Sequence, residues 1–525
     1  MGKKCVLIGV GGSGAKVVEA FTYLCAAGFM KDKFGDGEIL VRIADMDQTG
    51  GNLTRTQDAI SAYMNGFYPP IESTALNCPV KFRALQSGDS SELLWTIDMN
   101  ENATLKTLFS DQSAGGTDDG SLSLLNTLFN GAHDDSDPKK DQNIKLKIGT
   151  QGIPRIGAVA WGREYKRSVK DKDGKTAQGY MSALLKDNAI DETDEVQFVF
   201  VGSMVGGTGA SAIPSIVKNL HDEFPALFAT KQYKTGIILM LPYFKFNAFK
   251  DERSGTTAGV DPNDFPLNCK VALRYYKNFF ENNFKNNKNV VDSAYFIGAH
   301  ALDFMRMEDG SYAKESLGGL AQRNPAMPAE VAAATSIMHY FSNNNGDSAK
   351  TKIIFLKNDR SDKASDGAIA VTKPKWTEFP YSKEIRTALR RLSWFSLMWS
   401  HVVVRFAQSS TSELGLISTS CKGGAETVTQ DKHYADMKRF CDAMLIWMRQ
   451  LEMNDFPIDS KKDGRIEEKQ KHLNKSSFST SSDEMLDKKV NRILNKAQKL
   501  KGIKGKNFSE LVCRLWAACE NVNEQ

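Results

Sequence analysis

The chain has little of what marks several common classes of protein. Its eight cysteines, at positions 5, 25, 78, 269, 421, 441, 513 and 519, form no CxxC pair and lie near no histidine set at zinc spacing. That excludes a zinc ribbon and a small disulfide-stapled fold, and leaves reduced, buried thiols in a cytoplasmic protein as the expectation. No apolar run is long enough to span a bilayer. The most membrane-like stretch, Leu392 to Phe406, falls short of the ~20 residues needed and carries His401 and Arg405, so a buried or interface helix is expected there. The opening MGKKCVLIGVGGSGAK has no small-residue cleavage site, and glycines break its apolar run; no export signal is expected. Nor is there an excess of either charge. The 68 basic and 63 acidic residues give a formal +5, too small and too evenly spread to indicate nucleic acid as a partner. Internal repeats are absent, and so is the GK[ST] of a P-loop.

What remains is an ordinary globular composition, 41% apolar and 25% charged, in a chain of 525 residues. That length exceeds what one core usually organises and predicts two domains. Short apolar runs predict strands at Cys5–Val10, Ile39–Ala44, Lys145–Ile148, Val196–Val201, Gly236–Leu241 and Ser293–Ile297, with helical patterns between most of them. This alternation is that of a parallel sheet covered by helices. The stretches 113–121 and 131–143 are too rich in turn and charged residues for a core and read as surface loops. After Pro328 the run AEVAAATSIMHYF predicts a helix between the domains, stopped at Ser342-Asn-Asn-Asn-Gly346. Beyond it, Lys352–Leu356 and Gly367–Val371 read as strands, and Lys383–Gln408, His433–Met453 and Glu484–Cys519 as helices. Trp394, Trp399, Trp447 and Trp516 in these helices are expected to be core rather than partner surface.

Three glycine-rich segments carry the chemistry. The first, GVGGSGAK from Gly9 to Lys16, joins a strand to a helix; glycines there let backbone amides reach phosphate oxygens at the positive end of the helix. The same arrangement serves dinucleotides in Rossmann proteins, or a tight turn with no ligand. Asp45 and Asp47 end the second strand in IADMDQTGG, where carboxylates bind ribose hydroxyls, hold a hydrated Mg2+, or are simply solvated. Another strand, glycine loop and helix follow in VGSMVGGTGASAIPSIVKNL, Val201 to Leu220. Two such loops in one sheet can surround a triphosphate from two sides, whereas a dinucleotide site needs only one.

GGTGASAIP, Gly206 to Pro214, resembles the signature loop of the tubulin and FtsZ superfamily. GVGGSGAK is similar to that family's first phosphate loop, IADMDQ to its second and GTQGIPRIGAVA, at 149–160, to its third, in the same order; divergent bacterial tubulin-like proteins are the nearest in character. The resemblance covers roughly residues 1–345. It implies an α/β fold with an N-terminal Rossmann-like GTPase domain (1–325) and a long interdomain helix (326–345); the C-terminal domain (346–525) reads from the sequence as mainly helical, where the family has a mixed sheet with helices. By the same resemblance, Gly11, Gly12 and Ser13 would contact the α- and β-phosphates and Gly152 to Gly157 would approach the γ-phosphate. Gly206, Gly207, Thr208 and Gly209 would wrap the β- and γ-phosphates. Asn324 resembles the asparagine that reads the guanine edge, with a helix cap as its other role. GTP or GDP with Mg2+ is the implied ligand, and self-association the implied partnership.

Besides the C-terminal domain, two departures stand out. Val205 replaces a glycine of the signature loop, and the loop after the interdomain helix, FSNNNGDSAKTK, lacks the family's NxDFxxV and leaves Asp347 as its one acid. Asp347 is therefore the catalytic candidate, hydrolysis being completed by a neighbouring subunit if it occurs. Three functions are carried forward: a GTP-dependent self-assembling protein; a non-polymerising GTP-binding switch or scaffold in a defence or stress system, with its C-terminal domain binding a partner protein; and an NAD-dependent oxidoreductase, which would leave the second glycine loop idle.

Overall fold

The computed structural model describes residues 3–29, 38–72, 80–84, 93–97, 102–110, 129, 144–150, 154–166, 169–170, 176–177, 180–246, 265–285, 290–299, 302, 304–313, 319–342, 350–356, 382–408, 414–458, 464–475, 484–503 and 506–521. Eight strands form one sheet: β1 (Lys3–Val10), β2 (Glu38–Ala44), β3 (Lys81–Ala84), β4 (Leu94–Trp95), β5 (Glu195–Ser203), β6 (Tyr233–Met240), β7 (Ser293–Ala299) and β8 (Lys350–Leu356). Their order is β8-β7-β6-β5-β1-β2-β3, with β4 pairing the end of β2 beyond β3, and every pairing is parallel. The central strands are apolar on both sides, as a doubly covered parallel sheet requires: Val6, Leu7 and Ile8 of β1 and Phe198, Phe200 and Val201 of β5 are inaccessible to solvent. The chain runs outward from β1 in both directions, so the order reverses between β1 and β5. In open α/β sheets that reversal opens a crevice at the carboxyl ends of the strands, where ligands bind.

The helices that position the site are α1 (Gly11–Ala26), α2 (Gly51–Ala62), α3 (Pro154–Lys166) and α4 (Gly207–Glu223). After α5 (Phe265–Lys285) comes α6 (Pro328–Ser342), which packs on β6, β7 and α1. Except for His339 and Ser342, every residue of α6 is buried, so the expected interdomain helix is a core element of the sheet layer. β8, expected beyond it, adds to the edge of the same sheet.

The C-terminal helices α7 (Ser382–Met398), α8 (Tyr434–Met453), α9 (Ile466–Leu473), α10 (Met485–Lys499) and α11 (Phe508–Ala518) pack against the N-terminal part. α2 runs on through a π-helical turn, Tyr63–Phe67, and the aromatic rings of that turn meet Phe440 of α8, Phe395 of α7 and Trp516 of α11 at 4.6–5.8 Å. Tyr23 of α1 meets Trp447 and Phe440. This explains why α1 is buried on nearly all sides: the sheet lies on one and the C-terminal helices on another. Trp394, Trp399, Trp447 and Trp516 are all core, as composition suggested.

Two sequence expectations need correction, and others fall outside the described residues. Lys145–Ile148 is no strand: Leu146–Ile148 is a single 3-10 turn closed by Gly149 at φ +89°, and Leu146 N–H donates to the Ala103 carbonyl instead of joining a ladder. Glu484–Cys519 is two helices, parted where Leu500 turns extended and Gly502 takes φ +75°. Gly367–Val371 and the polar stretches at 113–121 and 131–143 lie outside the described residues, and no helix among those described is long and apolar enough to cross a membrane.

Candidate functional site

Two helices begin where the strand order reverses. α1 starts straight from β1, and α4 follows β5 after a three-residue turn; no side chain caps either helix, and neither first turn holds an acidic residue. The first-turn amides of both are therefore aimed at the crevice with the positive ends of two dipoles behind them. The two starts touch. Gly11, at φ +72°, is so close to α4 that a Cβ there would sit 3.2 Å from the Gly209 nitrogen and 3.3 Å from the Thr208 Cβ. Both the backbone angle and the contact demand glycine.

Further glycines bring the helices down onto the strands. A Cβ at Gly14 would lie 2.4 Å from the Val201 carbonyl oxygen, and one at Gly209 2.6 Å from the Ser203 nitrogen. Gly206 is different: it precedes α4 in extended backbone, and nothing lies nearer than 3.9 Å to its Cβ position. Gly207 opens α4 and is buried with Thr208 and Gly209. In the third loop, Gly157 packs α3 onto Ser211 of α4; Gly152 lies outside the described residues, as does Asp347.

The two aspartates differ. Asp45 is buried under the α4 start and accepts the Thr208 hydroxyl at 3.3 Å. Burial, with the neighbouring Asp47 carboxylate adding to it, pushes the Asp45 carboxyl up to about 7 against hydrogen bonds from Asp47 N, Met46 N and Thr208. Asp47 is occupied: Oδ1 accepts Thr49 N and Oγ1, both at 3.0 Å, and Oδ2 accepts Gly319 N at 2.7 Å. Its work is to fasten the segment 319–324 onto the second loop. The same fastening continues at Gly51, whose Cβ position is 2.4 Å from the Leu320 carbonyl oxygen, and at Asn52, whose Oδ1 accepts Asn324 N at 2.8 Å. Arg55, paired with Glu19 at 2.8 Å, donates to the Asn324 carbonyl. Asn324 thus comes to the crevice beside Asn52. It stands before α6 and does not cap it, since the first-turn Glu330 takes the Met327 amide at 2.9 Å.

Several residues were not singled out from sequence. Asn52 Nδ2 lies 3.5 Å from the Cβ position of Gly12, on the outer side of the first loop, with Gln322 Oε1 at 4.0 Å. Lys16, quoted within the first motif, is buried and pairs with Glu330 of α6 at 2.5 Å; burial lowers its pKa, partly offset by that carboxylate. The Tyr243 hydroxyl donates to Glu330 at 2.9 Å and is hydrogen-bonded to Ser13. A lysine inside a mostly apolar helix was the available signal for the pair. Glu330 gave none, because an acid in a first turn usually only complements the dipole. With this geometry assembled, comparison adds nothing further: no protein-family model matches the sequence, and no curated protein matches it.

Proposed function

We propose that this chain is a guanine-nucleotide-binding protein of the tubulin and FtsZ type that assembles with copies of itself when GTP is bound. The observation that carries the reading is the meeting of two uncapped, glycine-opened helix starts at the reversal of strand order, Gly11 against Thr208 and Gly209. Amides from two helices converge there, which suits a chain of phosphates better than the single pyrophosphate of a dinucleotide. The order and wording of the glycine loops supports the family, and the position of Asn324 beside Asn52 supports a base held at the outer end of the crevice.

In this reading Gly12, Ser13, Thr208 and Gly209 supply backbone amides to phosphate oxygens, and Ser13 and Thr208 add hydroxyls. Asp45 is the carboxylate suited to Mg2+, because both oxygens of Asp47 are engaged. Mg2+ held by Asp45 would supply charge neutralisation for the phosphates and would favour the ionised form of that carboxyl. Asp347 is proposed as the acid lent to a neighbouring copy. A non-polymerising switch or scaffold is the second reading, favoured by the missing NxDFxxV after α6.

The test is right-angle light scattering of purified protein after GTP and Mg2+ are added, beside phosphate release. Rising scatter that decays as phosphate appears, with the phosphate release and the decay lost and the rise kept in Asp347→Ala, supports the full proposal. Nucleotide binding with flat scatter supports the switch.

A further inference from the structure

A separate feature lies in the C-terminal helices. α7 continues through one π-helical turn, Trp399–Val403, and such turns recur at functional sites because the extra residue redirects side chains. Beside it opens a cavity of about 340 Å³, wide to solvent, lined by Ser400, His401, Val404, Arg405, Gln408, Lys438 and Asn474, with no carboxylate among the described residues that line it.

The charge in this lining is positive and comes from two groups. Arg405 uses Nη1 on the carbonyls of Leu473 (3.2 Å) and Lys475 (2.9 Å) at the end of α9, and it pairs with no carboxylate among the described residues. The rest of its planar fork stays available. Lys438 is half-exposed and paired with Asp442 on its own helix at 2.6 Å, so it contributes a partly screened charge. His401 contributes none: Nδ1 faces Asn474 Oδ1 at 2.8 Å and Nε2 faces Gln470 Nε2 at 3.2 Å, which assigns one ring proton, on Nδ1. Ser400 Oγ is shielded from solvent and has no hydrogen-bond partner among the described residues, an unfavourable state for a hydroxyl that a turn of χ1 toward a ligand oxygen would relieve.

We propose that this cavity binds a small anion bearing a phosphate or carboxylate group, independently of the glycine loops. The guanidinium fork of Arg405 matches two oxygens of such a group, Lys438 adds charge, and Ser400 donates one hydrogen bond. The volume admits a phosphate monoester or a short dicarboxylate.

The test titrates the full-length protein with inorganic phosphate, glycerol phosphate and malonate by calorimetry, comparing wild type with Ser400→Val and Lys438→Gln. Both residues lie outside the glycine loops, so binding that weakens in these variants belongs to this cavity. We expect each substitution to weaken binding about tenfold, the loss of one charge-assisted or buried hydrogen bond, with the unliganded unfolding midpoint of Lys438→Gln unchanged. Phosphate compounds alone binding assigns a phosphoryl ligand, and malonate alone assigns a carboxylate. No saturable binding in wild type, or binding undiminished in both variants, overturns the proposal.

Discussion

Asp45 is under opposing influences: burial and Asp47 hold its proton on, while three hydrogen bonds favour the charge. Its folded pKa, about 7, lies above the unfolded value of 3.8. At pH 3 both states hold the proton and nothing is gained or lost; between these values the unfolded chain ionises first, so stability falls as pH rises and levels off above pH 7. Asparagine cannot ionise. Asp45→Asn is therefore predicted to match wild type near pH 3.5 and to exceed it by on the order of 2–4 kcal/mol at pH 8 without ligand, by denaturant titration at both pH values. Asn52 allows an isosteric test of the crevice. Asn52→Asp keeps the oxygen that holds Asn324 N and removes the amide donor near Gly12. Nucleotide affinity should fall about tenfold or more while the fold is retained; equal affinity by calorimetry would remove Asn52 from the site.

At the scale of helices and strands, glycines set how close α4 can approach β5. Gly209→Ala would press a methyl onto the Ser203 backbone, which has nowhere to move, and is predicted to destabilise by about 2–3 kcal/mol. Gly206→Ala has room and a negative φ, and should stay within about 0.5 kcal/mol. Thermal unfolding of the two variants side by side checks the contrast. The Lys16–Glu330 pair joins α1 to α6 out of reach of water. Lys16→Met leaves Glu330 buried with Tyr243 as its remaining side-chain donor and should lose about 3–5 kcal/mol, whereas Lys16→Met with Glu330→Leu should lose less than the single change.

The long apolar strands and the helices after Gly9 and Gly206 were legible because their period and punctuation are local. Lys145–Ile148 was not, since four residues in which lysine alternates with an apolar side chain suit a turn as well as a strand. The break near Gly502 was written in the sequence but outweighed by apolar spacing on either side. The pairing of Asp47 with Gly319, and of Lys16 with Glu330, joins positions hundreds of residues apart that no local pattern connects.

For the whole molecule, the aromatic rings of α1 and the Tyr63–Phe67 turn find their partners in α7, α8 and α11, so one continuous core runs through both parts of the chain. Calorimetric unfolding is predicted to show a single cooperative transition, and a fragment ending at residue 345 to bind hydrophobic dye and aggregate. Two resolved transitions would contradict the shared core. The most direct measurement of the central claim is calorimetric titration of the full chain with GTP, GDP, ATP and NAD in the presence of Mg2+. The predicted result is binding of GTP and GDP, with ATP at least about tenfold weaker and no binding of NAD, since the amide and carbonyl of Asn324 complement guanine. Selective binding of NAD, or no binding of any nucleotide, would contradict it.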